Sequence, residues 1–412
     1  MHYVACPLLC FLALAFTVPS AIAAADGDST DIPTAPLPPD LSLDTTTATA
    51  PSPPSSHEFD SLRHQIARVL ATYRRRPLNT LDHTPWEVMH WSLTWGAGAT
   101  IRQGNAGGDL VRAFEWLNRG GRCNGQVMVG VSRGQLIALQ GKGMQGHASQ
   151  YLAIMAQARL PKSTPVTVDG KQFMISHLLE SEKRACREKT ELTFALIAMS
   201  HYLDTDATWK SADGTTWSLA RLVEEELAQP IHGAACGGTH RLFGLAYACQ
   251  ERRIATGRLD GVYERANRFY RLHQQKMFSE LQNRDGSFST AWFERPEDGK
   301  DVERQLRTTG HMLEFLVSTA DQKVLYHPKT LAAVGFLAGI LDKEPEKEWK
   351  IGPMSHALHA LAIYQERVWS SLTPDALAAY SGDMKAKATP MPPAPKASVF
   401  PVSLQRFQTL FR

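Results

Sequence analysis

Six times along this chain, an amphipathic stretch with its apolar residues at helical spacing is followed by a stretch that is small or apolar all round. The amphipathic stretches lie near 57–73, 108–119, 171–185, 217–229, 261–281 and 328–342, and their followers near 84–96, 147–158, 191–203, 240–250, 310–320 and 355–366. A helix that is apolar on every side belongs inside other helices, whereas a striped helix covers one face of a core. Six of each predicts an all-α fold, an (α/α)6 toroid in which an inner ring of helices is covered by an outer ring, about twelve in all, over residues 57–370. The repeat spacing varies from about 45 to 70 residues, so a long irregular helical array is the competing arrangement.

The flanks read differently. Val4 to Phe16 is apolar and runs through Pro19 and Ser20 into Ala21-Ile22-Ala23 and Ala23-Ala24-Ala25, small-residue sequences of the kind signal peptidases cut. Residues 1–25 are therefore expected to be a signal peptide and the protein to be exported, to the periplasm or outside the cell. An N-terminal membrane anchor is the alternative, because no Lys or Arg precedes the apolar run, although the run is shorter than a span of ~20 residues. No later segment is apolar enough to cross a membrane. Residues 26–56 are a Pro/Ser/Thr/Ala-rich linker and 371–412 a Pro-rich tail, both too poor in apolar surface to fold alone.

The inner segments share a second feature. They open with a small residue followed by an ionisable one: Gly146-His147, Thr190-Glu191, Thr239-His240, Gly310-His311 and Ser355-His356, with Asp82-His83 ahead of the first. In a toroid these residues come to one face and ring its central mouth. A single histidine so placed reads as well as a cap or a core residue. Five caps, however, would more naturally be Ser, Thr, Asp or Asn. The set predicts a pocket in which Glu191 or Glu87 is the general acid and one of His240, His311 and His356 the general base. His83, His90, His147, Trp86, Trp91 and Trp292 are expected to line it and to bind substrate. His356 and His359, three apart, can meet on one helix, with His356 the better placed of the two.

Leu281-Gln282-Asn283-Arg284-Asp285-Gly286-Ser287-Phe288 followed by Trp292 resembles the Gln-rich, Asp-Gly-Ser-aromatic repeat of squalene and hopene cyclases and related terpenoid-cyclase toroids. Cys236-Gly237-Gly238-Thr239-His240, running into Gly244-Leu245-Ala246, resembles the Gly-rich entries to inner helices in those cyclases and in protein prenyltransferase β subunits. The resemblance covers about a dozen residues sharply, and it implies the toroid already reached from the helical pattern. It does not bring the family's chemistry with it. The nearest string to an Asp-x-Asp-Asp acid is Asp204-Thr205-Asp206-Ala207, read as a turn. No Asp-Asp-x-x-Asp cluster and no counterpart of the prenyltransferase zinc set is present.

Cys6 and Cys10 fall in the signal, leaving Cys123, Cys186, Cys236 and Cys249. In an exported chain a disulfide is the ordinary expectation, and Cys186 with Cys236 is the best pair. The sharper alternative joins Cys236 and His240, four apart, to another Cys or His, Cys186 foremost, in a zinc site; no other cofactor is expected.

Lys plus Arg at 44 against Asp plus Glu at 41 leaves a net charge of +3, too little for a nucleic-acid partner. A small-molecule, lipid or glycan ligand is expected instead. The resemblance implies terpenoid-type cyclisation or transfer. Export, the missing terpene acids and a basic patch at Lys183, Arg184, Arg187 and Lys189 favour lysis or hydrolysis of an acidic polysaccharide. A non-catalytic module binding a glycan, lipid or protein is the third possibility. A terpene pocket should be deep and aromatic, a glycan cleft long, open and polar.

Overall fold

The computed structural model describes residues 56–369. The expected signal peptide, the linker up to residue 55 and the tail from 371 lie outside the described residues. The helices follow in chain order: α1 (Ser56–Arg74) and α2 (Pro85–Trp95), α3 (Ala113–Asn118) and α4 (Gln150–Gln157), α5 (Ile175–Ala185) and α6 (Thr193–Tyr202). Then follow α7 (Leu219–Leu227) and α8 (Thr239–Thr256), α9 (Gly261–Lys276) and α10 (Val302–Thr319), the short α11 (Gln322–Leu325), and α12 (Pro328–Lys343) with α13 (Ile351–Trp369). The chain is thus mostly helical among the described residues.

The burial of these helices follows from their side chains. In α6 every residue but His201 is buried, whereas α5 buries only Ile175, Leu178 and Leu179. Fully burying one such Leu or Ile is worth about 1.5–3 kcal/mol relative to leaving it in water. The apolar helices pack on one another in sequence: α2 on α4, α4 on α6, α6 on α8, α8 on α10, α10 on α13, and α13 back on α2. The amphipathic helices lie against them, α3 on α2, α5 on α4 and α6, α7 on α6 and α8, α9 on α8, and α12 on α10 and α13. Gly310 lets α10 and α13 approach closely, since a Cβ there would meet the Ala357 backbone at 3.1 Å.

Two boundaries differ from expectation. α10 begins at Val302 and α13 at Ile351, so His311 and His356 stand inside their helices rather than at the N-termini. His147 and Glu191 do precede α4 and α6, and His240 is the second residue of α8.

Four two-stranded antiparallel ribbons, which the helical reading omitted, join the helices: β1 (Thr100–Arg102) with β2 (Leu110–Arg112), β3 (Val129–Ser132) with β4 (Gln135–Ala138), β5 (Pro165–Val168) with β6 (Lys171–Met174), and β7 (Thr208–Lys210) with β8 (Thr216–Ser218). Ser132 pairs with Gln135 and Val168 with Lys171, so Arg133-Gly134 and Asp169-Gly170 are two-residue loops. All four loop residues have positive φ, as a hairpin turn matched to the strand twist requires. β6 and β8 run directly into α5 and α7.

A buried charge ties the starts of α6 and α8 together. Glu226 on α7 is fully buried and accepts from the Leu192 N–H at 2.8 Å, the Thr193 hydroxyl and Arg241 Nε at 3.0 Å. Arg241 on α8 also donates to the Pro230 carbonyl and to Gln229 Oε1. The entrance to α6, beside Glu191, is thereby fixed to the first turn of α8, beside His240.

Candidate functional site

Five histidines from five segments form a continuous set of ring contacts. The His311 and His356 rings stack with centroids 3.8 Å apart, and His240 lies 5.3 Å from His311 and 5.4 Å from His356. His90 on α2 is 5.6 Å from His356, and His147 is 6.2 Å from His240. Phe194 packs 5.2 Å from both His147 and His240. Trp86 covers His90 at 3.9 Å, and Trp292 meets His311 edge-on at 5.6 Å. Glu191 joins the set at its rim, 2.7 Å from His147 Nδ1.

The other expected residues are used elsewhere. His83 turns its Nδ1 onto the Asn79 backbone in the turn before α2. Glu87 accepts from the Thr84 N–H and hydroxyl as the far end of a capping box on α2, so its carboxylate is committed to the helix start rather than to acid catalysis. Trp91 is buried in the core, its indole N–H donating to the Thr100 carbonyl. Asp206 lies in a turn, paired with Arg252. In the basic patch, Lys183 pairs with Glu180 and Arg187 with Asp213.

The cysteine expectation is corrected. Cys186 and Cys236 are both free thiols rather than a disulfide. The Cys186 Sγ is turned back onto the Glu182 carbonyl at the end of α5, while Cys236 lies beside His240 and His311. Cys186 is accordingly not in the metal-competent group either. His311 stands where Cys186 was expected: Cys236, His240 and His311 each place one ligand atom within 4.8 Å of the others. Tetrahedral zinc with bonds of about 2.0–2.3 Å sets its ligand atoms roughly 3.5 Å apart, so small side-chain shifts suffice.

The protonation states suit such a centre. A carbonyl oxygen only accepts, so His311 Nδ1, 2.8 Å from the Arg307 carbonyl, carries a proton, as does His90 Nδ1, 2.8 Å from the Trp86 carbonyl. Burial, with His356 adding to it, holds His90 down at about 3 and pushes His311 and His240 well below the usual imidazole value. A neutral ring protonated at Nδ1 leaves its Nε2 lone pair for a ligand, the arrangement that metal-binding histidines use. His240 is the odd one: both of its ring nitrogens are sealed from water and have no hydrogen-bond partner. Buried polar nitrogens are normally satisfied, so two orphans on one ring ask for an occupant.

The thiol arrives by a strained route. Cys236 has φ 50° and ψ 38°, and Gly237 and Gly238 follow at φ 64° and 80°. A left-handed cysteine costs of order 1 kcal/mol or more, and strain of this kind is kept where it positions a group. Gly237 is required because a Cβ would come within 2.3 Å of the Trp292 ring. Burial pushes the Cys236 thiol up to about 11, with the Arg307 charge opposing it. Binding an ion would therefore release the thiol proton.

Behind the centre lies a carboxylate that the sequence reading passed over. Glu314, buried on α10, accepts from His356 Nδ1 at 2.7 Å and from His359 Nδ1 at 2.5 Å. Burial opposes its charge, but His356 and His359 outweigh that and hold it well below the usual carboxylate range. The cavity among His90, Phe194, His240, His311, Glu314 and His356 is about 20 Å³, room for a water or an ion. No helix of the described residues is long and apolar enough to cross a membrane. No family model, curated protein or solved structure matches this chain.

Proposed function

We propose that this chain is an exported metalloenzyme built as an (α/α)6 toroid, with zinc held by Cys236, His240 and His311 at the centre of its inner ring. The cycle of packing from α2 round to α13 and back supports the ring, together with the likeness to terpenoid-cyclase repeats. The observation that carries the zinc assignment is His240, whose two buried nitrogens lack any partner while a thiol and a second imidazole each place a ligand atom within 4.8 Å. One thiolate and two imidazoles suit zinc, and three protein ligands leave a fourth position open, as catalytic sites do.

Zinc would polarise a bound oxygen and lower the proton affinity of a bound water. The surrounding side chains supply the rest. His356 stacks on His311 with its Nδ1 fixed by Glu314, which leaves Nε2 to take or give a proton at the centre. His147 and Glu191 form a second acid–base pair at the rim, where Glu191 is exposed. The inner cavity of about 20 Å³ has no room for a prenyl chain, which favours metal-assisted hydrolysis or elimination at the mouth over terpenoid cyclisation.

Elemental analysis of the full chain, purified without chelators, tests this. Close to one zinc per chain is expected, falling towards zero in Cys236→Ser and His240→Ala. A wild-type chain that holds no zinc, even after incubation with the metal, would overturn the assignment.

A further inference from the structure

A second cavity, of about 110 Å³, opens between the first turns of α10 and α13, lined among others by Asp301, Glu303, Arg304, Arg307, Trp349 and Lys350. Its charges are unequally used. Asp301 caps α10, accepting from the Glu303 and Arg304 N–H groups. Glu303 is paired with Lys350 at 2.8 Å. Arg304 donates from Nε to the Thr290 carbonyl and lies over the Trp292 ring at 5.3 Å. Arg307 remains: its guanidinium makes no hydrogen bond or ion pair among the described residues. It is half-buried, and an arginine so placed has five donors and no acceptor of its own.

Arg307 is also one helical turn from the metal-competent group. Its backbone carbonyl receives the His311 Nδ1 proton, and residues four apart share a helix face. Trp292, under Arg304, also meets the His311 ring at a right angle. The second cavity and the histidine centre are thus linked through both α10 and Trp292.

We propose that this cavity is an oxyanion subsite in which Arg307 holds a carboxylate or phosphate of the substrate while the substrate's reacting bond lies towards His311. The guanidinium fork matches either group with two parallel hydrogen bonds, and a neutral analogue would leave those donors unpaired. The substrate is therefore acidic, and its recognition belongs to Arg307 rather than to the basic patch at the end of α5, where Lys183 and Arg187 are ion-paired. This assignment rests on the proposed function, since the subsite serves that centre.

Calorimetric titration of the full zinc-loaded chain with galacturonate, inorganic phosphate and neutral galactose tests it, with zinc measured on the same samples. Saturable binding of galacturonate or of phosphate is expected, and the one that binds identifies the source of the oxyanion. Galactose should not bind. Arg307→Gln, compared with wild type at equal zinc content, should weaken the binding by about tenfold or more, the worth of a charge-assisted pair. If Arg307→Gln proves unstable, Arg307→Lys, which keeps the charge but loses the fork, should still weaken it several-fold. No oxyanion bound by wild type, or equal affinity in the Arg307 variants, overturns the subsite. Oxyanion binding in a chain that carries no zinc would instead sink the metal assignment and leave Arg307 as the binding group.

Discussion

Glu226→Ala is the perturbation that most sharply probes how the site is assembled. Glu226 is fully buried and holds three donors, the Leu192 N–H, the Thr193 hydroxyl and Arg241 Nε. Breaking a buried ion pair by deleting one partner costs about 3–5 kcal/mol, because the surviving charge is left uncompensated. Arg241 keeps its bonds to the Pro230 carbonyl and Gln229 Oε1, which softens that loss. The two abandoned donors at the start of α6 add to it, and a total of about 4 kcal/mol follows. With a urea dependence of about 3 kcal/mol/M, the unfolding midpoint should fall by about 1 M or more, whereas Glu226→Gln, which keeps an acceptor, should lose less. Since the same carboxylate joins the entrances of α6 and α8, Glu226→Ala should also weaken zinc binding through a displaced His240. A midpoint within about 0.3 M of wild type would refute this account of how the starts of α6 and α8 are held together.

Further outcomes follow from the same geometry. His90, His240 and His311 are neutral in the fold, so below about pH 6.5 the unfolded chain binds protons that the folded chain does not. Stability should therefore fall with pH by about 1.4 kcal/mol per unit for each histidine, down to the folded value of about 3 for His90, and metal-free urea midpoints at pH 7 and 5 should show it. An unchanged midpoint would contradict the neutral cluster. Gly237→Ala places a Cβ 2.3 Å from Trp292 at a positive φ; about 2 kcal/mol, or a fall of about 4 °C in melting temperature, is expected. Alkylation of the unfolded, unreduced chain should modify both Cys186 and Cys236, and a peptide linking the two by mass spectrometry would restore the disulfide.

How much of this was legible beforehand depended on the kind of signal. The alternation of striped and all-round-apolar segments is a local pattern, and it located all six covered helices. The ribbons were equally local but were passed over, although Asp169-Gly170 and Asp213-Gly214 carry the turn chemistry that marks a hairpin. The starts of α10 and α13 were misjudged because Arg304 and Arg307 make the first turns of α10 look like loop, while Gly352 and Pro353 do the same for α13. That moved His311 and His356 from caps to mid-helix without removing them from the centre. Glu314 went unnoticed inside Met312-Leu313-Glu314-Phe315-Leu316, yet a lone acid within an apolar run has to find a partner, and His356 and His359 are that partner. The exchange of His311 for Cys186 beside Cys236 could not be read from spacing, because it depends on which side of a strained Cys-Gly-Gly turn the thiol emerges.

Anomalous diffraction at the zinc edge, from crystals of the full chain, tests the central claim most directly. The account predicts one strong peak about 2.3 Å from Cys236 Sγ and about 2.0–2.1 Å from a ring nitrogen of His240 and of His311, with His356 facing it. Crystals of zinc-incubated protein that show no peak there, or that hold Cys236 apart from the two imidazoles, would contradict it.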